Sequence, residues 1–262
     1  MIRLRRSIVA VACGAVIAGI ASFAALGYIT YAGSGGDVVT PATYPNRHHF
    51  TQAIFWFELL DSREELFEAL GDPGTPQGAA MRRIMDVTNT YDVLLFSAYP
   101  PFFALLLALV HLLLRRDDAD PPAALPILVA GIVVCAVMPL ADHMENVQLL
   151  KLTTFAAPGD VDDGVIAALK VWTRIKWGAI FAVTALLALR YWRYFIDSRF
   201  PRYAFTGIYG ITAVVGAISL MFDGTRFLIE AASTTMGIGW LVSAVHAGVV
   251  AVKAMRMRER AE

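Results

Sequence analysis

Charge is scarce in this sequence: Lys, Arg, Asp and Glu make up only 17% of the 262 residues, and the two signs balance at 22 each. That balance offers no argument for a nucleic-acid partner or an acidic one. Cysteine is scarcer still. Cys13 and Cys135 stand alone, and the absence of C-x-x-C argues against thiol redox chemistry and haem attachment. The two fall on different apolar runs at different depths, so they read as small packing residues and not as a disulfide. Also missing are a G-x-S-x-G elbow, a phosphate-cradling glycine loop, a dinucleotide fingerprint and an H-E-x-x-H pair. What is abundant is apolar surface. Hydrophobic residues make up 57% of the chain, and a mean hydropathy of +0.58 lies outside the range of soluble domains.

Six runs are long enough to cross a bilayer core, which takes roughly 20 helical residues. They cover about 8–32, 93–114, 125–146, 166–191, 203–222 and 236–254. In hydrocarbon each backbone N–H and C=O must be satisfied within the segment, and no run alternates as a barrel strand does. The fold class expected is therefore all-α: a polytopic membrane bundle of six transmembrane helices. The first run follows Arg3, Arg5 and Arg6 but is far longer than the apolar core of a secretory signal, so it reads as an uncleaved anchor.

Basic residues orient the bundle. Arg3, Arg5 and Arg6 precede the first span, Arg115 and Arg116 follow the second, and Arg190, Arg193, Arg199 and Arg202 lie between the fourth and fifth. Lys253, Arg256, Arg258 and Arg260 close the chain. With six crossings all four clusters fall on one side, which the positive-inside rule assigns to the cytoplasm. Residues 1–32 are thus a cytoplasmic N-terminus and first span, 33–92 an external segment, and 93–262 a five-helix bundle ending in the cytoplasm. The expected location is an inner or plasma membrane.

The external segment begins with turn formers over 33–49 and continues as FTQAIFWFELLDSREELFEALG. Thr51 reads as a cap, with Phe55, Leu59, Leu66, Phe67 and Leu70 on a buried side and Asp61, Arg63, Glu64, Glu65 and Glu68 around the rest. After DPGTPQG a second helix, AAMRRIMDVTNTYD, is expected to run into the second span. The amphipathic segment would lie on the membrane surface or fold over the bundle as a lid.

At the outer end of the third span, ADHMENVQLLKL concentrates polar groups. Helical spacing places Asp142, Glu145 and Asn146 on one face, within one to two turns of the outer boundary, with His143 to one side and Pro139 below to re-aim the turn. Tyr91 and Asp92 head the second span, whose Phe96, Tyr99 and Phe103 would line its inward face around Pro100 and Pro101. Lys170, Arg174 and Lys176 open the fourth, and Asp223, Arg226 and Glu230 follow the fifth. Buried ionisable groups pair, so Lys176 is expected to meet Asp142 or Glu145, while Lys170 and Arg174 reach toward the headgroups. His246, alone in the sixth span, is read as a donor to a neighbouring carbonyl, with haem or metal ligation or a proton path as the alternative. Gly207, Gly210, Gly216 and Gly248 suit close helix contact.

The run SREELFEALG, MRRIM, YDVLLFSAYPPF, ADHMENVQLL and RIKWGAIF resembles a set of uncharacterised bacterial multi-pass membrane proteins with an Asp-x-x-Glu-Asn turn and a later Lys. The likeness spans about residues 51 to 190 and leaves out the last two spans. No activity accompanies it. It implies only that Asp92, Asp142, Glu145, Asn146 and Lys176 form the position set to test.

Four chemistries suit this cluster. Asp142 and Glu145 with His143, or with His48 and His49, could ligate a divalent metal. Two carboxylates in different environments could act as acid and base on a lipid, as a hydrolase or isomerase does. The same groups could simply tie helices together, or line a polar outward cavity. The last is the reading adopted: a membrane protein with a binding or transport-like role for a small solute or lipid. It is expected to need no cofactor and no metal, its partners being the lipid bilayer and that ligand. No feature sets an oligomeric state.

Overall fold

The computed structural model describes residues 2–116 and 124–259. The side chains of Arg3 and Arg258, and all of Arg260, lie outside the described residues. The described residues form nine α-helices: α1 (Ile2–Ser34), α2 (Ala53–Glu58), α3 (Arg63–Leu70), α4 (Pro76–Tyr91), α5 (Val93–Arg116), α6 (Ala124–Leu152), α7 (Asp163–Tyr194), α8 (Arg199–Met221) and α9 (Leu228–Glu259). Six of them, α1 and α5 to α9, are long and apolar enough to cross a membrane. The protein is an all-α membrane helix bundle, as the hydropathy pattern leads one to expect.

Several helices overrun their apolar stretches. α6 continues to Leu152 and α9 starts at Leu228, because backbone hydrogen bonding persists where side-chain hydropathy stops. Asp142 is therefore ten residues, about 15 Å, from the end of its helix and is not at a frayed lip. The six long helices form a ring in chain order, each against the next, with α9 closing on α1 and α5 also touching α7 across the middle. At one end Arg190 reaches His111 of α5 (3.1 Å), Tyr191 reaches Ser243 of α9 (3.4 Å), and Phe205 of α8 packs on His246. Arg190, grouped with the basic residues between the fourth and fifth spans, is buried inside α7. Close approach depends on Gly216 of α8, where a Cβ would sit 2.2 Å from the Phe181 ring. Gly207 and Gly210, expected to serve the same purpose, face open space, and Gly248 has only Val16 near it.

At the opposite end α2 to α4 fold over the bundle as a cap. One amphipathic helix was expected across 51–70, but the chain breaks between Glu58 and Arg63. The bundle takes the carbonyls that a continuous helix would use: Thr173 donates to Glu58 (3.1 Å), Arg226 to Leu59 and Lys170 to Asp61 (2.9 Å). Lys170 also pairs with the Asp61 carboxylate at 3.1 Å, so it clamps the cap and does not reach for headgroups. Thr51 does not cap α2 with its side chain. Instead Glu230, at the start of α9, accepts the backbone N–H groups of Thr51 (2.9 Å) and Gln52 (2.8 Å). Ser62 accepts from the Glu65 amide to begin α3, and Gly71, at φ +81°, ends it. Arg82 of α4 is buried and donates to the last carbonyl of α6, Leu152 (3.4 Å), and to that of Thr153 just beyond it (3.2 Å), an end that favours a cation.

Glu65, expected on the solvent side, is 4% exposed. It pairs with Arg226 (3.2 Å) and with His48 Nε2 (3.0 Å). Arg226 donates to His48 Nδ1 (3.2 Å), so Nδ1 accepts and Nε2 carries the proton toward Glu65. Burial, helped by Arg226 and Arg47 and opposed by Glu65, holds the imidazole below its ordinary value. A depressed histidine contributes stability that is complete above the unfolded value and lost as pH falls through the folded one. Amide-exchange protection across 41–71 is therefore expected to fall as pH drops below about 6.5, and to lose that dependence in His48→Gln.

Candidate functional site

The polar residues singled out on α5, α6 and α7 converge beneath the cap. Lys176 of α7, 5% exposed, is the hub. Its ammonium pairs with Glu145, lies 3.6 Å from Asp142 Oδ1, and reaches Glu58 Oε2 at 3.1 Å. The same Glu58 oxygen accepts from the indole of Trp177 (2.9 Å), whose ring faces the ammonium at 5.1 Å. Tyr99 of α5 donates to Asp142 Oδ2 (2.6 Å) and stacks on Trp240 of α9. Asn146 donates to Asp92 (2.9 Å), the residue that joins α4 to α5.

The positions follow from helix geometry. Asp142, Glu145 and Asn146 occupy i, i+3 and i+4 on α6 and face inward together, while the intervening His143 is exposed with its ring edge toward Phe96. On α7, Lys170 and Lys176 are six residues apart, so one faces the edge of the cap and the other the ring interior. Arg174 is exposed.

The cluster forms one end of a cavity of about 480 Å³ that reaches α1, α2, α4, α5, α7 and α9. Glu58, Asp92, Tyr99, Asp142 and Lys176 line it, while Glu145 and Asn146 stand behind them. The remaining wall is mostly apolar, with Ile29, Phe55, Ile180, Trp177, Met236 and Trp240 prominent. Asp142 Oδ1 accepts no hydrogen bond and the indole N–H of Trp240 finds no acceptor, so a donor and an acceptor remain on residues that line the space.

No family model matches the chain, and neither does any curated protein or solved structure. The site has to be read from its own chemistry.

Asp92, Asp142, Glu145, Asn146, Lys176 and Tyr99 are brought together as expected, and Lys176 meets both α6 carboxylates. His143 is not part of the group. His246 lies at the far end of the bundle, ringed by Tyr191, Tyr194, Phe195 and Phe205. Its Nδ1 is buried without a hydrogen bond, so aromatic packing replaces the expected donation to a carbonyl. His48 is engaged by Glu65 and Arg226 and does not join Asp142. Among the described residues no group of three or more His, Cys, Asp and Glu side chains is arranged to hold a metal ion.

Two contributors escape the sequence reading. Glu58 comes from the cap, and Trp240 comes from the last helix, whose hydropathy pattern gives no hint of this position. The one available signal is a lone acid inside an apolar run, FWFEL.

Removing one partner of a buried ion pair strands the others, at a cost on the order of 3–5 kcal/mol. Lys176→Met leaves buried Asp142 and Glu145 and part-buried Glu58 around an apolar chain and should lower stability by that order in detergent unfolding. Adding Glu145→Gln to it is expected to restore part of the loss, since one stranded carboxylate becomes neutral.

Proposed function

We propose that this integral membrane protein binds a small solute or lipid in the capped cavity, in a transport-like or carrier role. The observation that carries the reading is the division of the cavity. Charged and phenolic side chains from four helices and the α4–α5 junction meet at one place, and the rest of the wall is mostly aromatic and aliphatic, with neutral polar groups such as Thr30, Thr88 and Thr234 among it. Ligand sites have this construction: an apolar body that desolvates the guest and a few polar groups that orient it. The volume of about 480 Å³ is within the usual range for such sites. A cluster that served only to tie helices would close on itself. Here a carboxylate oxygen that faces Lys176 but accepts no hydrogen bond, and an indole N–H that donates none, belong to residues lining open space.

The basic clusters support an orientation in which both termini face the cytoplasm and the cap faces outward, in a bacterial inner membrane or a plasma membrane. In that orientation the cavity is loaded from the outer side or the outer leaflet.

The reading is tested by filling the cavity without touching its charges. Gly237 lines the space and a Cβ there would meet nothing within 4 Å, so Gly237→Phe adds a ring at the cavity wall without a clash at its first carbon. Native mass spectrometry of protein released directly from membranes is expected to show a small-molecule adduct on the unaltered chain and none on Gly237→Phe. Identical adduct-free spectra for the two proteins would remove the reading.

A further inference from the structure

Two observations restrict the ligand further, given the binding role proposed above. The first is an opening in the wall. α1 and α9 touch along the half of the membrane away from the cap: Gly248 lies near Val16, Gly19 lies against Ala244, and Phe23 meets Trp240 edge-on at 6.2 Å. Beyond that aromatic contact the two helices become opposite sides of the cavity, with Leu26 and Thr30 on one and Thr234 and Gly237 on the other. Leu26, Thr30 and Thr234 are exposed although they line it. In this stretch α1 leans on α4 instead, with Gly33 against Thr88 and Tyr28 edge-on to Tyr91. From Trp240 to Thr234 the cleft extends over six residues, about 9 Å of helix. It lies toward the cap-side ends of two helices that are long and apolar enough to cross a membrane, where an outer leaflet would adjoin it.

The second observation is the charge at the inner end. One ammonium, Lys176, faces three carboxylates: Glu58, Asp142 and Glu145. Asp142 is 3% exposed and its Oδ1 accepts no hydrogen bond. A buried acid of this kind is stabilised most by a charged donor.

We infer that the ligand is a cationic amphiphile, a molecule with an amine-type head and a single apolar chain, which enters sideways from the bilayer between α1 and α9 and places its head at Asp142. The head supplies the missing donor and offsets the surplus acid. The chain occupies the apolar wall and trails toward the cleft. A wholly polar cation would gain nothing from that wall, a neutral amphiphile would offer Asp142 at most an uncharged donor, and an anionic one would add to the surplus acid.

The test uses the full chain in phosphatidylcholine nanodiscs and scintillation-proximity binding of tritiated dodecylamine, with empty nanodiscs as background. Unlabelled dodecylamine is expected to displace the label at least tenfold more effectively than dodecan-1-ol or dodecanoate, and far more effectively than butylamine. Asp142→Asn should weaken dodecylamine at least tenfold. Leu26→Trp and Thr234→Trp, which leave every charge in place, should slow association at least threefold, so the inference stays exposed even if the Asp142 variant misfolds. Equal displacement by dodecan-1-ol would overturn the cationic head, and equal displacement by butylamine would overturn the lipid-side entry. Either result leaves the adduct experiment on Gly237→Phe intact as support for a bound ligand. No specific dodecylamine binding overturns the inference outright, and if the adduct is also absent the binding role falls with it.

Discussion

A single ammonium placed among three carboxylates, inside a bundle whose outer surface is hydrocarbon, is the constraint from which the rest of the structure follows. Isolated charges at such a depth are expensive, so Lys176 can be there only with partners, and its partners only with it. α6 supplies two of them from one helical face. The third comes from outside the membrane segments, and this requires the cap to descend onto the bundle. Trp177 fastens the arrangement by donating to the same Glu58 oxygen that takes the ammonium.

The cap is shaped by what holds it. α2 is only six residues long and would not persist alone. Glu230 holds the two amides just before it, the Val39 carbonyl takes its first amide, and Thr173, Arg226 and Lys170 take the carbonyls at and just beyond its end, so distant groups complete both ends. Arg226, His48 and Glu65 lock the following turn, and Arg82 ties α4 to the end of α6. These contacts place Glu58 over Lys176, and they enclose the cavity on the cap side while the α1–α9 cleft stays open. The polar end of the cavity and the roof over it are thus one structure. Weakening the clamps should be felt at Lys176.

Much of this was legible in the residues. Long apolar runs with nothing to satisfy a bare backbone specify helices, and four separate arginine clusters specify which ends lie together. The i, i+3, i+4 pattern of Asp142, Glu145 and Asn146 put them on one face, and the cost of buried charge matched them to Lys176. What stayed hidden depends on distant parts of the chain. The break between α2 and α3 arises from side chains more than a hundred residues away that take its carbonyls, so the periodicity of 51–70 suggested one helix. Glu58 was lost with that break. Helix ends were set too early because hydropathy falls before hydrogen bonding does, so Asp142, expected in the last turn of its span, has ten residues of helix after it. His246 was assigned a polar partner by rule, whereas four aromatic rings already enclose it.

The central claim is that Glu58 of the cap and Lys176 of the bundle act as a bonded pair. A double-mutant cycle with Glu58→Gln and Lys176→Met, read as unfolding free energy in mixed micelles, tests it directly. The account predicts a favourable coupling of at least about 1 kcal/mol, as for buried groups in contact. Effects that add to within about 0.5 kcal/mol, as they do for sites that do not touch, would contradict it.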